Sequence, residues 1–213
     1  MAINLGENPW ILIVLTCLEI LFVIIPAFIS SKIEKKSFKD VIVEMGFQRN
    51  KDILIKVIAG LGFAILFFFC SGYIMFFFRN IVVENIFSTQ FVQEGQEGAI
   101  NTVPIRPNII QVTILIILEL IIIGPCEEAF FRGFLIKKLN QKIKIYTSVA
   151  ISAILFSLYH VPLFLVPLTT IITYFGYYFS FGILLSAIFI YFDYSLIPCS
   201  LAHSCFNILI LIL

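Results

Sequence analysis

Six long apolar runs, at about 10–29, 53–78, 109–139, 146–163, 168–192 and from 195 to the C-terminus, decide what this chain can fold into. A bilayer core about 30 Å thick is crossed by about 20 apolar residues in a helix. Of the 213 residues 61% are hydrophobic, against roughly 45–50% in soluble domains. The chain therefore reads as all-α: a polytopic membrane helical bundle of about six transmembrane helices, with room for short or re-entrant segments. The first run has no basic n-region and is too long for a signal-peptide core, so it is read as a retained helix.

Charge gives the expected orientation. The 14 Lys and Arg all lie at or before Lys144. Lys32, Lys35, Lys36, Lys39, Arg49 and Lys51 occupy the first loop, and Arg132, Lys137, Lys138, Lys142 and Lys144 surround the third. The loop at 80–108 carries Glu84, Glu94 and Glu97 against Arg106. By the positive-inside rule the first and third loops face the cytoplasm and the acidic loop faces out. The expected division is 1–108, a two-helix region with these first two loops, and 109–213, a helical region that holds the chemistry. The 38–47 stretch reads as a short surface helix in a solvated connector. The five cysteines follow no metal or disulfide spacing. They read as small buried hydrophobes, Cys126 beside Glu127 included.

The third run is unusual. Counted at 1.5 Å per residue it is about 46 Å long, so it protrudes or breaks. Gly124-Pro125 is the expected break, since proline removes a backbone donor. Directly after it stand Glu127, Glu128 and Arg132, and ionised groups at membrane depth cost about 2.5–3.5 kcal/mol each on insertion scales. Glu128 and Arg132 are four apart and share a helix face. Glu127 is rotated about 100° away, free of that pairing. If Pro125 opens a new half-helix, Glu127 occupies its third position, where the dipole favours a carboxylate.

Two further runs carry polar groups on single faces. Phe156 and His160 are four apart, as are His203 and Asn207. The chain has 2 histidines, both in predicted spans. Glu19, alone in the first run, is read as structural. A carboxylate and an imidazole near one water suit general-base hydrolysis, and a histidine with an asparagine one turn on suits donation to an oxyanion. A proton relay through Glu19, Glu119 and Glu127 ranks last, because the fifth run has no charged residue before Asp193.

The ordered set Glu127-Glu128-x-x-x-Arg132, Phe156-x-x-x-His160 and His203-x-x-x-Asn207 resembles the CPBP family, the type II CAAX prenyl endopeptidases and their bacterial Abi relatives. The resemblance covers 111–213. It implies an intramembrane endopeptidase with a cavity open to the cytoplasm, acting on membrane-associated, prenylated or leader-bearing peptides. Carried over, Glu127 activates water with His160, His203 and Asn207 hold the oxyanion, and Glu128 and Arg132 support them. No metal is favoured, because the metal-independent scheme employs all four residues; the alternative is zinc on Glu127, His160 and His203. The alternative function is a non-enzymatic bacteriocin self-immunity or partner-binding protein on the same scaffold. Expected partners are the lipid bilayer and a membrane peptide or protein substrate, with no nucleic acid.

Overall fold

A computed structural model describes residues 4–47 and 51–213; Arg49 of the basic first loop lies outside the described residues. The chain is helical almost throughout. Helices α1 (Pro9–Leu18) and α2 (Leu21–Glu34) form the first span, and α3 (Phe38–Glu44) lies in the first loop. Then come α4 (Ile53–Ile86), α5 (Thr89–Glu97), α6 (Ile109–Asn140), α7 (Ile145–His160), α8 (Leu168–Tyr191) and α9 (Leu196–Ile212).

Local chemistry sets the boundaries. Asn8 accepts from the Trp10 N–H at 3.1 Å with Pro9 at the first turn, so α1 starts there. Lys35, at φ 54°, ends α2 in the left-handed region. Asn108 and Gln111 form a reciprocal capping box at the head of α6, each bond 2.9 Å.

The combined Pro9–Glu34 span, α4, α6 and α8 are each long and apolar enough to cross a membrane, and α7 and α9 are shorter apolar helices. This is the expected all-α membrane bundle. Its surface is apolar: Tyr73, Ile109, Leu54 and Phe69 all stand exposed. Its interior is the more polar side, with Ser148, Ser152, Ser157, Thr170, Thr173, Ser186 and Ser204 buried. Most of these hydroxyls donate to main-chain carbonyls, as Ser157 does to Ala153 O at 2.8 Å and Ser152 to Phe131 O on the neighbouring helix at 2.7 Å. Small hydroxyl residues let helices approach closely while leaving no bare polar group in hydrocarbon. The apolar core gathers Phe67, Phe131, Phe156, Phe181, Leu185 and Phe189.

Several expected boundaries change. The first run is interrupted at Glu19–Ile20 and then continues to Glu34, past the expected end near 29. Helix α4 runs on through a π-helical stretch, Phe77–Val83, to Ile86, and α5 fills part of the expected outer loop. The largest correction concerns α6. It passes Gly124-Pro125 without a break, as 32 residues with continuous right-handed dihedrals. Pro125 has no N–H to return to the preceding turn, and the ladder widens to π spacing over Glu119–Ile123. A second π stretch, Ala129–Ile136, follows Glu128. No new helix starts at Pro125, so a helix N-terminus does not act on Glu127.

Candidate active site

The two π stretches of α6 flank the five residues Gly124–Glu128, and this short α-helical piece is pressed against α9. A Cβ placed on Gly124 would stand 2.0 Å from Ser204 Oγ and 2.9 Å from Ser200 O, so only glycine allows the approach. That contact brings His203 to the acidic pair.

Glu128 and Arg132 are fully buried and joined at 2.8 Å. Arg132 also donates to Gly182 O on α8 at 3.1 Å, and its guanidinium carbon lies 4.4 Å from the centroid of the Phe156 ring. The Arg132 charge is thus held by a carboxylate, a carbonyl and a π face. Glu128 Oε1 also receives His203 Nδ1, at 2.9 Å. A carboxylate anchored by arginine can only accept here, so Nδ1 carries the hydrogen. The other ring nitrogen, Nε2, points toward Glu127 and lies 3.9 Å from its Oε2. The sequence separates Glu127 from Glu128 by a rotation about the helix; one imidazole from α9 reaches both.

His160 is the last residue of α7. Its Nδ1 lies 2.9 Å from Phe156 O in the preceding turn. A carbonyl only accepts, so Nδ1 is again the protonated nitrogen and Nε2 offers a lone pair. The ring packs at a tilt against Phe156 and Tyr178, with centroids 4.3 and 4.6 Å away, and lies 6.4 Å from the His203 ring. Its depth counted along α7 alone is about 24 Å, and that of His203 along α9 about 12 Å; helix packing removes this difference. One donor atom from each of Glu127, His160 and His203 falls within a 4.8 Å cluster.

Asn207 lies one turn beyond His203 and sends Nδ2 to Glu119 Oε2 at 3.2 Å. Glu119, the first residue of the π stretch, was expected only as a member of a relay. Glu19 is also repositioned. It sits at the break between α1 and α2, receives the Tyr159 hydroxyl at 3.0 Å and lies within hydrogen-bonding reach of Glu127. The expectation that nothing polar accompanies it fails, because its partners come from helices distant in sequence. As ionised groups the two carboxylates have no hydrogen to share, and Oε2 of each receives no donor among the described residues. The sequence signal for Glu19 and Glu119 was the cost of carboxyls in apolar runs, but that cost does not say what each one touches.

The arrangement offers a carboxylate oxygen without a donor beside two imidazole lone pairs, in a buried setting. It can hold and deprotonate water, or hold a cation. Residues 109–209 match the family model described as type II CAAX prenyl endopeptidase Rce1-like. The match begins at the head of α6, contains all seven residues of the motif set and leaves out Glu19. No curated protein and no solved structure matches the chain.

Proposed function

We propose, from the match of 109–209 to the type II CAAX prenyl endopeptidase Rce1-like family, that this chain is an intramembrane CAAX-type protease and that Glu127 is the general base of its peptide-bond hydrolysis. The observation that carries the reading is Glu127 Oε2, buried and without a donor among the described residues, clustered with His160 and His203. A water held between Glu127 and His160 Nε2 gives a proton to Glu127 as its oxygen bonds to the scissile carbonyl carbon. The carbonyl oxygen becomes an oxyanion beside His203 Nε2 and Asn207 Nδ2. With Nδ1–H committed to Glu128, a donor at Nε2 requires the doubly protonated ring, and Glu128 is its counter-charge. Collapse breaks the C–N bond, and the proton on Glu127 passes to the leaving amine. Membrane burial excludes bulk water and strengthens each of these interactions.

The substrate class is a membrane peptide or protein, prenylated or leader-bearing, reached from the side of the basic loops. The charge bias puts the first and third loops in the cytoplasm.

A specific observation favours a second reading of the same site. Both imidazoles have Nδ1 fixed on an acceptor, Phe156 O or Glu128, leaving Nε2 exposed to the cluster. Metal-binding histidines are oriented in this way. Glu127, His160 and His203 therefore fit zinc as a three-ligand set, and a bound zinc would supply Lewis-acid activation of water. The residues keep their positions in either reading.

The test is cleavage of a membrane-peptide reporter by purified protein in liposomes, together with metal analysis. Glu127→Gln and His160→Ala should lose at least about 10²-fold in kcat while remaining folded. Stoichiometric zinc, lost in all three ligand variants, would select the second reading. A folded wild type that cleaves no candidate peptide, combined with immunity that persists in Glu127→Ala, would replace both with a non-enzymatic role.

A further inference from the structure

Glu119 stands outside the motif set, yet it is tied to α9 twice. Its carbonyl oxygen receives Ser204 Oγ at 2.7 Å, and its Oε2 receives Asn207 Nδ2 at 3.2 Å. The carbonyl also closes the π turn by accepting the Gly124 N–H. Ser204 and Asn207 are three apart, so one face of α9 is fastened to one residue of α6. The fastening lies at the head of the π stretch forced by Pro125.

The chemical consequence falls on the amide of Asn207. Its two ends, NH₂ and C=O, have nearly the same size and shape, so packing alone does not choose between them. An ionised carboxylate has only acceptor sites and does choose. It takes one amide hydrogen, which turns Nδ2 toward Glu119 and leaves the second hydrogen for another acceptor. A flipped amide would aim Oδ1 at a developing negative charge and oppose it.

We infer that Glu119 is a positioning residue: its carboxylate sets the orientation of Asn207 so that the amide donates to the oxyanion. The inference rests on the oxyanion role proposed above for Asn207. In this role Glu119 acts through Asn207 and not on the reacting atoms themselves. The arrangement also gives the π stretch a purpose, since it is the segment that carries Glu119 across from Asn207 while Glu127 and Glu128, one α-helical piece later, face His203.

The test is a two-residue cycle on the liposome cleavage assay, reading kcat and KM separately. Losing an oxyanion donor outright costs about 10²–10³ in kcat. Glu119→Leu leaves the donor present but unoriented, so kcat should fall by about tenfold or more but less than in Asn207→Ala, with KM unchanged. Glu119→Gln keeps the reach but offers a donor as well as an acceptor, so it no longer chooses between the two ends of the amide and should recover only part of kcat. The double variant Glu119→Leu/Asn207→Ala should be no worse than Asn207→Ala alone, because residues acting through one group are not additive. Glu119→Met takes the place of Glu119→Leu if the latter does not accumulate.

Additive losses would overturn the inference by placing the action of Glu119 elsewhere. So would an apolar variant with wild-type kcat while Asn207→Ala is impaired; in that case the proposed function stands. A full kcat in Asn207→Ala would instead remove the oxyanion reading itself, and the inference with it.

Discussion

Replacing Arg132 by methionine should unfold a large part of this protein's stability, and the structure says how much. Arg132 and Glu128 have no solvent exposure, and their 2.8 Å bond is the direct neutralisation of each. Methionine fills similar volume but leaves the Glu128 carboxylate in the core with only His203 Nδ1–H at 2.9 Å. Breaking a buried pair by removing one partner costs about 3–5 kcal/mol. A whole domain is stable by only about 5–15 kcal/mol. Removing both charges is a different matter, because well-packed neutral replacements are often nearly neutral in stability. Glu128→Gln/Arg132→Met should therefore lie within about 2 kcal/mol of the wild type. The assay is equilibrium unfolding by SDS titration in mixed micelles, followed by far-UV circular dichroism. The reasoning is refuted if the single variant lies within about 1 kcal/mol of wild type, or if the double is as unstable as the single. Activity should separate from stability. The double variant folds but leaves His203 beside a neutral amide instead of a carboxylate, so kcat should fall by about 10²-fold or more.

Gly133→Ala tests how the surface helix is seated: an added Cβ would stand 1.8 Å from Met45 O just after α3, so the α3 contact must open at a cost of about 1–3 kcal/mol. Limited proteolysis should then cut within 38–47 at protease concentrations that spare the wild type, and an unchanged digestion pattern would contradict the packing. Tyr159→Phe removes the hydroxyl that Glu19 receives at 3.0 Å, leaving a buried acceptor unmade for about 1–3 kcal/mol. The same micelle titration measures it, and Glu19→Leu/Tyr159→Phe should be less destabilised than the sum of the two single variants.

The apolar runs alone dictated an all-helical membrane bundle, because hydrocarbon leaves a spanning backbone nowhere to bond except to itself. The same one-dimensional reading marked Glu127, Glu128, Arg132, His160, His203 and Asn207, since polar groups at such depth are too costly to be incidental. It also paired Glu128 with Arg132, because a spacing of four on one helix is a local fact. What it placed wrongly depended on more than one helix. Proline was expected to break α6, but the helix continues through it and the ladder gives way to π spacing instead. Glu127 and Glu128 were separated by rotation about their own axis, but a ring on α9 spans the gap between them. Glu19 was isolated in its run because Tyr159 is 140 positions away, and Glu119 is 88 from Asn207. Sequence determined which groups are too expensive to bury without purpose. Only the tertiary structure decided which of them meet, because each meeting is made by side chains on helices whose relative rotation and depth no single helix encodes.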